Sequence, residues 1–478
     1  MRFHPVNWIV IVVYLLAMAG MGFWFMRRNR TSDAYFKAGG RLPWWVVSLS
    51  IYATMFSSIT FISVPAMSFS GDMRYFVIAF GIILLAPVVV HWYLPFFRRL
   101  NLTSAYEYLE VRFNLPCRLF ASAAFTLFMV ARSGIVAYLP ALAVSAVTGI
   151  DINVAIVAVT AITVIYCTVG GVEAVIWSDF MQALILIGST GLILVWLIVG
   201  TDGGLPGFLR SGLDAGKFRV FDFAFDWTKP CFWVVFVSGI VANLASYTSD
   251  QCVVQRYMTT PDERSAGRSI LLNGVMSFVN CFVFFVLGVA LWTFYQSHPG
   301  ALAAGTKPDA VLPVFIAREL PVGISGLVFA AVAAATMSTL SSNLNSAASA
   351  VTVDFYGRLF GGRHALRCGR IATLVTGVLG GAFALVLANA DIGNIYDQFQ
   401  RFLGILTGGL GCLFFMGVFM KRINGFGATC GLVANYIVCF GLDLAPCPGK
   451  PHMLLYGFLG MAACLAVAPL ASLWRRGS

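Results

Sequence analysis

Long apolar runs separated by short polar connections extend along the whole chain. The runs are poor in charge and close to the roughly 20 residues with which an α-helix crosses a hydrocarbon core about 30 Å thick. This pattern predicts thirteen membrane-spanning helices, near residues 7–26, 43–70, 74–97, 119–149, 153–170, 174–200, 231–250, 269–296, 321–352, 371–391, 397–420, 425–444 and 453–473. No linker or low-complexity tract divides them, so we expect one transmembrane domain over residues 1–478.

The composition agrees with an all-α polytopic membrane protein. Hydrophobic residues make up 59% of the chain and charged residues only 11%, whereas about a quarter of the residues of a soluble domain are charged. The first span is followed by basic residues without a small-residue cleavage site, so we expect it to remain in the mature protein. The cysteines and histidines show no spacing typical of a disulfide framework, a zinc site or a haem site.

The formal net charge of +11 is explained by where the basic residues stand. Lys and Arg are about twice as frequent in the connections on one side of the predicted spans as in those on the other. The positive-inside rule then predicts an N-terminus outside and a C-terminus in the cytoplasm, with Arg256 counted in a cytoplasmic connection. We therefore expect a lipid bilayer around the chain and no nucleic-acid partner.

Two predicted spans carry unusually many hydroxyl groups. The first, near 43–70, is rich in Ser and Thr and contains Pro65, which predicts a helix interrupted near the bilayer midplane. The second carries Ser338, Ser342, Asn345, Ser346 and Ser349 on one helical face. Small residues also allow close helix packing, but so many neutral oxygens suit a monovalent cation, since calcium or magnesium would require several carboxylates. We expect a sodium ion between these two spans.

Arg132 and Asp179 are the charged residues within predicted spans that could carry chemistry. Arg132 is too deep to reach water easily, and a charge at such a depth costs about 2.5–3.5 kcal/mol on insertion scales. It is either a structural residue paired with a carboxylate or with carbonyls, or a planar fork for the carboxylate of a substrate. Asp179 alone is more typical of an interfacial carboxylate, and it gains significance only if it meets a cation.

Three segments resemble the sodium:solute symporter family: GGVEAVIWSDFMQ (170–182), SYTSDQCVVQRYM (246–258) and MSTLSSNLNSAASAVTVDFY (337–356). The resemblance implies the leucine-transporter fold, with two inverted five-helix repeats. The repeats would cover about 43–200 and 231–420. Residues 7–26 would form a helix before this core, and 425–444 and 453–473 would form two helices after it.

The resemblance also implies site residues. A sodium site shared across the family would fall on the carbonyls of Ala53, Phe56 and Ala335 and the hydroxyls of Ser338 and Thr339. The segments ATMFSSITFISVPA (53–66) and FMVARSGIVAYLPALA (128–143) are most similar to the bacterial sialic acid transporters of this family. In that branch Arg132 would bind the carboxylate of the sugar, and Ser57, Thr60 and Tyr75 would line the pocket. Ser338, Ser341, Ser342 and Asp179 would form a second sodium site.

One position departs from that branch, because Ala79 stands where a glutamine is expected. This leaves carboxylate recognition by Arg132 intact but weakens the prediction of which sugar is bound.

These observations and the resemblance together predict a symporter of the bacterial inner membrane. It would import an anionic sugar, foremost sialic acid, together with two sodium ions, and it would act as a monomer. Sodium-coupled uptake of a neutral sugar, proline or a monocarboxylate is the alternative within the same class. A solute sensor and a membrane-embedded enzyme are alternatives from other classes. The spans show no nucleophile, base or metal constellation that would favour an enzyme.

Overall fold

The computed structural model describes residues 4–26, 38–100, 103–390, 395–445 and 449–474, which are helical with short connections. Its main helices are α1 Pro5–Met26, α2 Trp44–Met55, α3 Ser58–Ser70, α4 Phe80–Val88, α5 Leu94–Leu100, α6 Glu107–Arg112, α7 Leu115–Thr148, α8 Ile152–Gly200, α9 Gly204–Asp214, α10 Phe232–Thr248, α11 Gln251–Tyr257, α12 Glu263–Ser297, α13 Pro308–Arg318, α14 Ile324–Ala350, α15 Ala365–Asn389, α16 Ile395–Phe419, α17 Gly425–Leu444 and α18 Tyr456–Trp474. A 3-10 turn, Arg74–Ala79, precedes α4, and π-helical turns join α4 to α5 and extend α14 over Val351–Gly357. The basic residues predicted in the cytoplasm within 27–37 and at 475–476 lie outside the described residues.

Most of the predicted spans have counterparts among these helices. Within the described residues, nine helices are long and apolar enough to cross a membrane, and two bent helix pairs bring the number to eleven. Two shorter apolar stretches, Pro5–Met18 and Ile152–Ile165, coincide with two further predicted spans. The total of thirteen and the bounds of the two repeats stay predictions.

Helix α8 contains two of the predicted spans in one continuous helical stretch of 49 residues. Val154, in its first part, lines an apolar cavity with Trp8 of α1, whereas Gln182, in its second part, donates a hydrogen bond of 3.1 Å to Tyr14 of α1. Residues 154 and 182 would lie about 42 Å apart in a straight helix, but their partners in α1 are only about 9 Å apart along the axis. A straight helix could not reach both partners, so α8 bends between its two apolar parts, Ile152–Ile165 and Val172–Gly200.

The predicted interruption of the Ser-rich span is present between α2 and α3, which meet at an angle of 58°. Phe56 leaves the helical conformation with φ −93° and ψ 93°, and Ser57 is extended. The Ser57 hydroxyl then accepts a hydrogen bond of 3.2 Å from the Ile59 N–H and caps α3. The last carbonyls of α2 consequently lose their partners within the helix.

A second interruption was not predicted. Helices α10 and α11 meet at 53°, and α11 continues the apolar segment to Tyr257. The predicted span at 231–250 therefore stopped at the bend between α10 and α11 and left out α11. Asp250 begins α11, and its carboxylate accepts a hydrogen bond of 2.8 Å from the Cys252 N–H. Placing residues 251–257 in a polar connection was wrong, because this short helix is almost completely buried.

Close contacts hold α3 between its neighbours. Gly288 of α12 lies so near α3 that a Cβ atom there would come within 2.1 Å of the Pro65 carbonyl oxygen. At the other end of α3, the Ser58 hydroxyl donates a hydrogen bond of 3.0 Å to the Val136 carbonyl of α7. The first break is therefore fixed against α7, the helix that carries Arg132.

Candidate functional site

The polar stripe of α14 faces the interior of the protein. Its hydroxyl and amide side chains are at most 2% exposed: Ser338, Thr339, Ser341, Ser342, Asn343, Asn345, Ser346 and Ser349. Asn343 donates a hydrogen bond to Ser133, and Asn345 and Ser346 donate to Gln255. These hydrogen bonds join the far part of the stripe to α7 and α11.

Asp179 lies beside the positive charge of Arg256. From the sequence alone, Asp179 gained a functional role only beside such a cation. Its carboxylate accepts hydrogen bonds from Ser338 at 2.8 Å and from Ser50 at 2.6 Å, and it pairs with Arg256 at 2.9 Å. Both charged side chains are fully buried, at 0% and 1% exposure. Such a pair persists only where other hydrogen bonds satisfy its remaining atoms, as they do here. Asp179 is thus a core residue and not an interfacial carboxylate.

Arg256 is the buried charged residue that the sequence prediction misplaced. It lies in α11 and donates hydrogen bonds to Ser50 at 2.8 Å, to the Cys252 carbonyl at 2.6 Å and to the Ser342 hydroxyl. Counting it among exposed cytoplasmic bases was wrong, since the bend at the start of α11 turns it into the core. The apolar residues near Arg256, Val253 and Val254 before it and Tyr257 and Met258 after it, were the available sign in the sequence that this segment is buried.

The predicted second sodium set is brought together around this pair. Asp179 and Ser338 are hydrogen-bonded to each other, and Arg256 contacts Asp179 and Ser342. Ser341 lies in the same helical turn, and its hydroxyl donates to the Ser338 carbonyl at 2.9 Å. In this conformation the Arg256 guanidinium therefore contacts two of the four predicted sodium ligands, Asp179 and Ser342.

The predicted shared sodium set lies where the end of α2 meets α14. The Thr339 hydroxyl donates to the Thr54 carbonyl at 3.4 Å, and the hydroxyls of Thr54 and Ser342 are 3.0 Å apart. Ala53 and Phe56 lie within two residues of Thr54, at the end of α2. The Thr54 oxygens thus lie beside the turn of α14 that contains Thr339 and Ser342.

Arg132 contacts both broken helices. Its Nη2 donates a hydrogen bond of 3.1 Å to the Thr54 carbonyl of α2, and its Nη1 lies 3.5 Å from the Asp250 carboxylate at the start of α11. Its Nε is buried without a hydrogen-bond partner among the described residues. Arg132 is therefore paired, as the structural interpretation requires, and it also retains a free donor at the meeting point of the two breaks.

The other predicted substrate residues lie on or beyond α3. Ser57 is at the break and Thr60 lies one turn further along α3, partly buried. Tyr75 is in the 3-10 turn before α4, where its ring packs edge-on against Tyr396 with centroids 6.2 Å apart. Ala79, which replaces the expected glutamine, is fully buried and offers no side-chain polar atom.

A second buried carboxylate lies at the end that the orientation prediction places in the cytoplasm. Asp354, after α14, pairs with Arg118 at 2.8 Å and accepts hydrogen bonds from Ser104 and Ser122. Arg118 also pairs with Glu110. Burial raises the pKa of Glu110, but hydrogen bonds from Arg118 and Arg358 outweigh this effect and lower it. This cluster joins α6, α7 and α14 at one end of the protein.

Segment 103–106 also contacts the second break. The Tyr106 hydroxyl donates to the Ser249 carbonyl at 2.7 Å. The Gln251 side chain donates to the Thr103 carbonyl and accepts from the Ala105 N–H, both at 2.8 Å. The junction of α10 and α11 is therefore anchored on one side, while Asp250 points toward Arg132.

The chain is similar to known proteins over almost its whole length. The chain is 36% identical over 467 residues to the sodium/sialic acid symporter SiaT of Proteus mirabilis, covering 96% of this chain and 93% of the relative. It is also 36% identical over 474 residues to the sodium/sialic acid symporter NanT of Aliivibrio fischeri, with coverage of 98% and 93%.

A solved structure of a Na⁺-coupled sialic acid symporter, in a substrate-bound outward-open state, matches with a TM-score of 0.91 at 34% identity and covers 99% of this chain and 98% of the other. This match confirms the all-helical transporter fold. The relatives are transporters, and Na⁺ is the coupling ion. The model of the sodium:solute symporter family matches residues 35–434. This chain belongs to the sodium:solute symporter family.

Proposed function

We propose that this protein is a sodium-coupled symporter that imports a carboxylated sugar, sialic acid (N-acetylneuraminic acid), across a bacterial inner membrane. The observation that carries this function is Arg132, a buried guanidinium with a free Nε where the two broken helices meet. Relatives named as sodium/sialic acid symporters match almost the whole chain and support the same substrate.

Arg132 would bind the substrate carboxylate through a charge-assisted hydrogen-bonded fork. Ser57 and Thr60 would contact the hydroxyl groups of the sugar, and Tyr75 would cover it from the side of the 3-10 turn. Because Ala79 offers no side-chain polar atom, recognition of the rest of the sugar would depend more strongly on Ser57 and Thr60.

The shared sodium ion would be held by the carbonyls of Ala53, Phe56 and Ala335 and the hydroxyls of Ser338 and Thr339. These neutral oxygens suit a monovalent ion. Binding there would fix the end of α2 against α14. The Thr54 carbonyl, which accepts from both Thr339 and Arg132, supports a direct link between this ion and the substrate.

The second sodium ion would bind Ser338, Ser341, Ser342 and Asp179. A sodium ion and a guanidinium repel each other at such short distances. We therefore expect Arg256 to withdraw from Asp179 and Ser342 when this ion enters. The sodium ion would then replace the guanidinium as the positive charge beside the buried carboxylate.

Transport would follow from alternating access by a monomer, with the N-terminus outside and the C-terminus in the cytoplasm. Sodium and sugar would each favour the same arrangement of the broken helices against α14. By linkage, each would then strengthen the binding of the other by the same factor.

Uptake by proteoliposomes tests this function. We expect labelled N-acetylneuraminic acid to accumulate under an inward sodium gradient and not under an equal choline gradient, because the ion supplies the driving force. Glucose, proline and lactate serve as competitors for the alternative solutes. Sugar uptake that is indifferent to sodium, or that is blocked by one of these competitors at low concentration, would contradict the proposed function.

A further inference from the structure

The ion pair between Arg132 and Asp250 occupies the group that the proposed function assigns to the substrate. The Asp250 carboxylate divides its two oxygens, since Oδ1 caps α11 through the Cys252 N–H and Oδ2 faces Arg132. Both side chains are mostly buried, at 9% and 13% exposure. A guanidinium in such a place requires a counter-charge, and Asp250 supplies it in this conformation.

The contact is weaker than a substrate carboxylate could make. Its length of 3.5 Å exceeds the roughly 2.7–2.9 Å of a charge-assisted hydrogen bond, and only one oxygen takes part. The Nε of Arg132 meanwhile has no partner among the described residues. A carboxylate with two free oxygens can form the shorter, two-point contact that Asp250 cannot form while it caps α11.

We propose that Asp250 is an internal stand-in for the substrate carboxylate. It balances the charge of Arg132 when no anion is bound and gives way when the anion arrives. This inference rests on the proposed function of Arg132.

The same exchange connects the sugar to the second sodium set. Asp250 begins the short helix α11, and Arg256 lies in its last turn, in contact with Asp179 and Ser342. When Asp250 leaves Arg132, the ion pair that holds the capping residue of α11 is lost. Ser249 and Gln251, on either side of Asp250, still attach the helix to segment 103–106. A pivot of α11 about that attachment moves Arg256 away from Asp179 and admits the ion.

The test replaces Asp250 with asparagine, which removes the charge and retains a side chain that can cap a helix. Titration calorimetry on the purified full chain measures binding of N-acetylneuraminic acid at saturating sodium. If Asp250 blocks Arg132 in about nine molecules of ten, its removal tightens binding roughly tenfold. The uncharged methyl ester of the sugar gains no affinity. The factor by which sodium tightens sugar binding becomes smaller than in the wild type, because the link through α11 is lost.

Asp214→Asn is the matched control, since it removes the same charge from an exposed pair with Arg210 and leaves both affinities unchanged. Asp250→Ser, which also retains a capping oxygen, repeats the test if the asparagine variant does not fold. Unchanged or weaker acid binding in a folded Asp250 variant overturns the inference. Loss of binding in Arg132→Ala alongside that result leaves the proposed role of Arg132 standing, whereas retained binding in Arg132→Ala excludes Arg132 from the pocket. Absence of sodium-dependent binding in the wild type would remove the proposed function itself.

Discussion

Arg132→Ala is expected to abolish sodium-driven uptake of sialic acid. The side chain is buried, contacts both broken helices and has a free donor. Removing one partner of a buried, hydrogen-bonded charge pair costs about 2–5 kcal/mol, which corresponds to a roughly thirtyfold to several-thousandfold weaker affinity. Calorimetry and initial uptake rates measure this loss. Arg132→Lys, which keeps the charge without the planar fork, should fall between wild type and alanine.

Loss of uptake alone would not separate binding from folding, because Arg132→Ala also leaves the Asp250 carboxylate without its partner. The double variant Arg132→Ala/Asp250→Asn removes both charges and should recover the melting temperature lost in the single variant. It should still fail to bind the acid sugar. A double variant that regains both stability and uptake would show that Arg132 is structural and would exclude it from the pocket.

Asp179→Ala is expected to have two large effects. The sodium Hill coefficient of uptake should fall from near two to near one, because the only carboxylate of the second site is lost. The protein should also lose about 3–5 kcal/mol of stability, since Arg256 remains buried without its counter-charge. Uptake against sodium concentration and thermal melting measure the two effects.

Two controls separate these effects. Ser342→Ala removes a predicted ligand and leaves the ion pair intact, so the Hill coefficient should fall with little change in stability. Asp354→Ala breaks a comparably buried pair with Arg118 beyond the C-terminal end of α14, away from Ser338, so stability should fall while the Hill coefficient is retained. A Hill coefficient near two in both Asp179→Ala and Ser342→Ala would contradict the second site.

Local patterns predicted the parts of the site that depend on one segment. The density of hydroxyl groups in 43–70 predicted an interruption of this span, because an unwound turn in lipid needs local oxygen partners. Its position at Phe56 and Ser57 came from the structure. The helical spacing of Ser338 and Ser342 predicted one polar face on α14. Asp179 could be interpreted only conditionally, since its partner is distant in the sequence.

The missed features depend on contacts between segments. Residues Ser249, Asp250 and Gln251 interrupt the apolar run after Thr248, and their polarity resembles the end of a span. Tyr106 instead donates to the Ser249 carbonyl, Arg132 pairs with Asp250, and Thr103 and Ala105 bond to the Gln251 side chain, and all these partners are distant in the sequence. Arg256 was misplaced for the same reason. Hydropathy reports how apolar a segment is, and it does not reveal which polar groups are paired inside the protein.

Two sodium ions are energetically appropriate for an anionic sugar. One sodium entering with a monovalent anion carries no net charge, so the membrane potential contributes nothing to accumulation. A second sodium adds its own gradient, about 1.4 kcal/mol for a tenfold ratio, and also about 2.3 kcal/mol from a potential of 100 mV. The proposed carboxylate site at Arg132 and the proposed sodium site at Asp179 would therefore support each other in function.

Sugar accumulation under an imposed potential tests this account most directly. Proteoliposomes with a fixed sodium gradient are given either no potential or an inside-negative potential of about 100 mV, set by potassium and valinomycin. Two sodium ions per sugar predict that the potential speeds uptake and raises the final sugar ratio by up to roughly fiftyfold. A final ratio that does not change with the potential would mean one sodium per anion and would contradict the account.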